Sequence, residues 1–304
     1  VKLQPPPAPA LGKRRRGHLE GGYWWFIAPA AIVVFAVILF PWAFTLFMSV
    51  MQWKLGGERS FVGLDNYARL FSDARFGWSV LRTLWFTVLA VVFPMILGVA
   101  AAMAFARKFP LRGLARTIFI LPMMATPVAA ALVWTMMFHP QLGVLNWLLQ
   151  SVGLPPSQWV YHADSVILTL VMVETWHWTP LVMLIALGGL AALPSDPFEA
   201  ARIDGANAWQ AFRHITWPLL LPYVAVAAIM RTIDALKTFD TIFVITSGGP
   251  GTASETINIY LYLQAFAFYE LGYASAMVVV FFALIIGLAF VMLRWRQRLA
   301  EATK

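Results

Sequence analysis

Four ionisable residues at steps of three, Arg231, Asp234, Lys237 and Asp240, stand in a stretch that is otherwise largely apolar from Leu219 to Ile245. Each costs roughly 2.5 to 3.5 kcal/mol near the centre of a membrane span, so charges in such a place need a reason. At this spacing neighbouring pairs can form salt bridges along a helix surface, and the row spirals over about half of the circumference. Two readings stay open: a ladder that neutralises itself so that the helix inserts and packs, or a polar face turned to a pathway. A second cluster, Glu174, Trp176, His177 and Trp178, lies in another apolar stretch. A carboxylate among aromatic rings suits sugar recognition, because hydroxyls need acceptors while the apolar face of a pyranose stacks on a ring. Glu174 and His177 also share the i, i+3 spacing of di-iron helices, but such a site needs two of these pairs and two more glutamates. One pair is present, so no metal site is expected.

Other catalytic signatures are missing. The sequence has no GxSxG elbow, no HExxH and no GxxxxGK[ST] phosphate loop. His18, His139, His162 and His214 are isolated, and the absence of cysteine removes disulfides and thiolate chemistry. The reading is a non-enzyme with no catalytic residue and no cofactor of its own. If it moves a solute with ATP, another chain must bind the nucleotide.

The elements that must position these residues are membrane helices. Of the 304 residues 61% are hydrophobic and 12% charged, about half the charge of a soluble domain. Six stretches approach the ~20 residues needed to cross a bilayer: Trp24 to Val50, Val80 to Phe105, Ala115 to Phe138, Val166 to Leu193, Leu219 to Ile245 and Tyr273 to Leu293. The expected fold is all-α: a polytopic membrane protein with six transmembrane helices over 24–293. A cytoplasmic helix-turn-helix loop is expected at 194–222, with basic cytoplasmic tails at 1–23, partly disordered, and 294–304. The first stretch is too long for a signal-peptide core, so it is read as a retained span.

The formal net charge of +8 follows the loops and does not call for nucleic acid. Lys13 to Arg16, Arg107, Lys108, Arg112, Arg116, Arg202, Arg213 and Arg294 to Arg298 fall on one side, which the positive-inside rule makes the cytoplasm. The connections from His139 to Asp164 and from Ser247 to Gly272 hold no lysine or arginine. The first outer connection is an exception, with Lys54, Arg59, Arg69 and Arg75 beside Glu58, Asp65 and Asp73. Both termini are therefore expected in the cytoplasm. Pro94, Pro122, Pro127 and Pro180 should kink spans or only pack. Small residues at Gly98, Ala100 to Ala102, Ala104 and Ala274 to Ala276 allow close helix contact, within the chain or between subunits.

Between the fourth and fifth spans lies the polar cassette EAARIDGANAWQAFRHITWPLLLP, Glu199 to Pro222. Asp196 and Glu199 have capping-box spacing with Pro197 at the first helical position, and Gly205 supplies a permissive stop. Asn207 and Gln210 repeat the spacing, predicting a second short helix to about Thr216, before Pro218.

These residues carry a family resemblance. Glu199, Ala200, Ala201, Asp204, Gly205, Ala206, Ile215 and Pro218 resemble the EAA loop of permease subunits of bacterial ATP-binding-cassette importers. Trp217 departs from the leucine usual there. FDTIFVITSGGPGTASETINIYLY, from Phe239 to Tyr262, is similar to sugar permeases of the maltose, trehalose and glycerol-phosphate group. The likeness spans essentially the whole chain and is strongest from Glu174 onward. It implies a carbohydrate importer of the bacterial inner membrane. Its partners would be a second permease subunit, two ATPase subunits carrying ATP and Mg, and an external solute-binding protein. The EAA residues would couple to the ATPase, and Gly248, Gly249 and Pro250 would meet the binding protein. Glu174, Trp176, Trp178, Arg231, Asp234, Lys237 and Asp240 are the candidate substrate pathway. A permease for another solute, or an ATP-independent carrier, is the alternative.

Overall fold

The computed structural model describes residues 24–54 and 56–302. The chain divides into two compact units, 1–47 and 48–304. The basic residues Lys13 to Arg16 and the rest of the N-terminal tail lie outside the described residues. The described part of the first unit is one apolar helical run, α1 (Trp24–Val34), a π-turn at Phe35–Leu39 and α2 (Phe40–Ser49). It matches the first expected span.

The second unit begins with a short hairpin, β1 (Met51–Gln52) paired with β2 (Ser60–Phe61), then α3 (Asp65–Ser72). α4 (Ala74–Ala106) has 33 residues, about 50 Å at 1.5 Å per residue, so it overshoots a bilayer core of roughly 30 Å. Pro94 lies inside it without ending it. The third expected span is not one rod. α5 (Arg112–Met124) and α6 (Pro127–Met137) meet at a 97° bend. Pro127 restricts the residue before it, and both Ala125 and Thr126 are extended, so this proline starts a new helix instead of kinking one.

After α7 (Val144–Ser151) comes α8 (Val166–Ala191), the most enclosed span, with 61% of its most apolar window buried. It packs along α4, α5 and α11 (Trp217–Leu236). Between α8 and α11 lie α9 (Asp196–Ile203), α10 (Ala208–Ala211) and a π-turn at Phe212–Thr216. The fifth span differs from expectation at both ends. It is continuous from Ala208 to Leu236 and stops before α12 (Asp240–Thr246), which packs on α6. No glycine or proline marks that stop. Asn258, far along the chain, donates its amide to the carbonyls of Leu236 at 2.9 Å and Thr238 at 3.4 Å, satisfying groups that the helix end leaves open. α13 (Ile257–Tyr262) and α14 (Leu271–Ala302) complete the chain. Among the described residues five helices are thus long and apolar enough to cross a membrane, and the bent pair makes up to six.

Part of the small-residue set serves packing inside the chain, while Ala100 and Ala104 are exposed. Gly98 of α4 is buried against α8, where an added Cβ would stand 2.6 Å from Val182 Cβ. Ala102, Ala274 and Ala276 are buried too.

At the N-terminal end of α4 the exceptional arginines find acids from the far end of the sequence. Arg75 makes a two-pronged pair with buried Glu255, at 2.8 and 2.6 Å, and Arg69 meets Glu270 at 2.7 Å. Asp73 accepts the hydroxyls of Tyr260 at 2.6 Å and Tyr273 at 2.7 Å. Burial pushes the Asp73 carboxyl up, but these hydroxyls and the N–H groups of Arg75 and Phe76 outweigh it, so its pKa lies below the ordinary 3.8. Tyr260 is pushed up to about 12 by burial and then by Asp73.

Two outcomes follow from this packing. Gly98→Ala should destabilise the protein by about 1–3 kcal/mol through overpacking, read as thermal unfolding in detergent. Asp73→Asn should cost about 1–3 kcal/mol at neutral pH. Because the native pKa is depressed, the wild-type advantage is full above about pH 4 and fades as pH falls through the native value. Unfolding of both forms from pH 7 to 3 checks it.

Candidate functional site

Glu174 sits in the middle of α8 with 3% of its side chain exposed, facing Arg231 of α11 with 1%. Such burial demands partners. Arg231 Nη2 donates to Glu174 Oε2 at 3.1 Å and to the carbonyl of Ala90 in α4 at 3.3 Å, while Nη1 donates to Asp234 Oδ2 at 2.5 Å. Thr241 of α12 donates its hydroxyl to Glu174 Oε1 at 3.1 Å. The indole of Trp178, 4.7 Å from the guanidinium carbon, covers the cation.

In front of this cluster opens a cavity of about 210 Å³, lined by Pro127, Glu174, His177, Trp178, Asp234 and the segment Lys237 to Thr241. Five of the seven residues expected in the pathway line it: Glu174, Trp178, Asp234, Lys237 and Asp240. Arg231 stands behind it. Trp176 does not belong. It is two residues from Glu174, on another face of α8, and meets Trp134 edge-on at 5.6 Å in an apolar groove with Phe93 and Leu97. The expected ladder of four is also corrected. Arg231 and Asp234 pair, but Lys237 follows the last turn of α11 and Asp240 starts α12, so the row leaves the helix halfway. Among the described residues neither Lys237 nor Asp240 has an ion-pair partner. Thr241, Phe239 and the Ala90 carbonyl carried no sequence signal, since they reach the cluster only through the break before α12 and the packing of α4.

The cassette differs from expectation in part. Ser195, not Asp196, precedes α9, and the Asp196–Glu199 capping box does not form; Ser195 Oγ bonds Asp196 instead, at 3.2 Å. Gly205 ends α9 with φ +74°, and the bonds Gly205 N to Arg202 O and Ala206 N to Ala201 O close a Schellman stop. The Asn207–Gln210 box forms in full, at 2.9 and 2.8 Å. The helix it opens is not short. Trp217 N bonds Phe212 O, five residues back, and this wide turn accommodates Pro218, so the helix runs on to Leu236. Glu199, Ala200, Asp204 and Gly205 are exposed, while Ala201, Ala206, Ile215 and Pro218 are half-buried.

The Gly248 to Gly251 turn is closely packed. Gly248 is buried at φ +93°, with room denied to a Cβ by Ile259 at 3.0 Å, and Ser254 closes the turn by donating to Gly249 O at 2.7 Å. Gly249 and Pro250 are half-buried.

Residues 94–301 match the model of the binding-protein-dependent transport system inner membrane component family, a stretch that takes in the cavity, the cassette and the glycine turn. The chain belongs to this family. Relatives of the same family agree along nearly the whole length. A probable ABC transporter permease protein, y4oQ of Sinorhizobium fredii, is 33% identical over 96% of this chain and 94% of its own. The trehalose/maltose transport system permease protein MalF of Thermococcus litoralis is 36% identical over 88% of this chain and 91% of its own. A bacterial ABC transporter involved in import of the acidic polysaccharide alginate has the same fold, with a TM-score of 0.79 over 91% of this chain and 96% of that one, at 21% identity. The chain is thus a membrane-spanning permease.

The buried pair yields a graded outcome. Arg231→Met strands the Glu174 carboxylate and should cost about 3–5 kcal/mol, part of which Glu174→Gln added to it should restore. Asp234, 45% exposed, should matter less: Asp234→Asn is expected to cost at most about 1 kcal/mol. Unfolding curves of the three variants in detergent check the order.

Proposed function

We propose that this chain is the permease subunit of an ATP-driven, binding-protein-dependent importer of a sugar or sugar derivative, working by alternating access in the bacterial inner membrane. One observation carries the proposal: in a permease of this family, the break between α11 and α12 opens a cavity that sets carboxylates beside aromatic rings. Hydroxyl donors find acceptors there, and a pyranose face finds Trp178 and Phe239. The name of the Thermococcus litoralis relative, a trehalose/maltose permease, supports the same substrate class.

The partners are a second permease subunit, two ATPase subunits that bind ATP and Mg²⁺, and a solute-binding protein outside. Orientation follows charge: Arg107, Lys108, Arg112 and Arg116 put the cassette end in the cytoplasm, with both termini. The outer arginines Arg69 and Arg75 do not oppose this, because Glu270 and Glu255 neutralise them.

The cassette is the ATPase contact. Glu199, Ala200, Ala201, Asp204, Gly205 and Ala206 form its docking turn, and Ile203 and Trp209, 87% and 66% exposed, flank it with apolar surface suited to a protein cleft. Ile215 and Pro218 lie at its root. From there one helix of 29 residues, Ala208–Leu236, spans about 44 Å to the rim of the cavity. A push on the cassette thereby reaches Asp234 and Lys237 through a single rod. Gly248, Gly249 and Pro250, at the far side, form the contact for the binding protein.

Glu199→Lys and Gly205→Glu in the reconstituted importer are expected to lower uptake by about tenfold or more while the complex still assembles and hydrolyses ATP. Normal uptake in both variants would refute the docking role.

A further inference from the structure

We infer that the cavity between α8, α11 and α12 selects uncharged, hydroxylated ligands over anionic ones, so that the cargo of this chain is a neutral sugar and not a uronate or a sulfonated sugar. The inference rests on the reading of the cavity as part of the sugar path, and it sharpens that reading.

The sequence leaves the question open, because Arg231 and Lys237 could hold an anion. The structure removes Arg231 from the choice. Its Nη1 is taken by Asp234, its Nη2 is shared by Glu174 and the Ala90 carbonyl, and Trp178 covers its face. It is 1% exposed and does not line the cavity. What lines the cavity is three carboxylates, Glu174, Asp234 and Asp240, and one lysine, Lys237. Counting Arg231 behind them and His177 as neutral, one negative charge is left over.

Among the described residues Lys237 is the only cation an incoming anion could address at the rim, and Asp234 and Asp240 share that rim with it. A guanidinium fork, the group best matched to a carboxylate or sulfonate, is absent from the lining. Like-charge contact at a partly desolvated site suppresses wrong partners strongly. A neutral sugar meets the opposite situation. Asp240 and the second oxygen of Asp234 are free to accept hydroxyls, Lys237 can donate, and rings take the apolar faces.

The rim also continues into aromatic surface rather than basic surface. Phe239 stacks on Phe243 at 5.0 Å, Phe243 meets Tyr262 at 4.9 Å, and Tyr262 meets Phe266 at 5.1 Å between ring centroids. Such a row suits pyranose faces and offers nothing to an anion.

The test uses the complete importer in lipid nanodiscs without its binding protein, so that only the membrane path is probed. Saturation-transfer NMR would compare maltose and trehalose with their 6-carboxylate forms, each pair differing by one CH₂OH against COO⁻. At least one neutral sugar is expected to bind about tenfold or more tightly than its acid. Asp240→Lys, at an exposed position, is expected to close most of that gap, and Lys237→Glu to widen it. An acid that binds wild type as tightly as its neutral partner would overturn the charge selection while leaving the sugar path standing. Binding that ignores both variants, or absence of binding by every sugar, would overturn the path reading and the inference with it.

Discussion

A guanidinium inside a helical bundle is the constraint around which this molecule is arranged. Arg231 cannot be left without partners at that depth, and each partner comes from a different place: Glu174 from α8, a backbone oxygen from α4, Asp234 from its own helix. Through Glu174 the network reaches Thr241 and so fixes α12 as well. Four helices are thus held in register by one cation, and apolar packing alone has no such directionality. The stability of the pair itself is modest after desolvation; what it supplies is a single arrangement.

That arrangement creates the cavity. Because the fifth span stops at Leu236, the charges after it, Lys237 and Asp240, are released from the helix surface and gather at an opening instead of lining up along lipid. The same helix begins at Ala208, in the cassette, so the element that carries Arg231 and Asp234 into the bundle is also the one that reaches out of it. The π-turn at Phe212–Thr216 lets it do so despite Pro218. Cassette and cavity are two ends of one rod.

Local chemistry made much of this readable from sequence. The apolar runs marked the spans, the Asn207–Gln210 spacing marked a helix start, and Gly205 marked a stop, because each of these depends on residues within a few positions. Helix geometry could also have separated Trp176 from Glu174, since two residues apart is nearly opposite on a helix, whereas Trp178 at i+4 returns to the same face. The break after Leu236 was not readable. The carbonyls it leaves open are satisfied by Asn258, about twenty positions on, and nothing near the break announces it. The outer arginines looked like exceptions for a similar reason: Glu255 and Glu270, which neutralise Arg75 and Arg69, lie some 180 to 200 residues away. Asp196 does not cap α9 because Ser195, one position earlier, takes that place and bonds its carboxylate.

The 97° bend between α5 and α6 has a consequence for how the protein is made. With 13 and 11 residues, the halves reach only about 20 and 17 Å, short of a hydrocarbon core of roughly 30 Å. Neither can cross by itself, and at bilayer depth the open backbone at Ala125 and Thr126 needs protein or a water-filled cavity beside it. The helices packed on the two halves, α8 on α5 and α12 on α6, emerge later from the ribosome. Biogenesis therefore cannot finish this segment when it is synthesised. It must wait at the membrane, half-inserted or held by the insertion machinery, until its own downstream neighbours arrive.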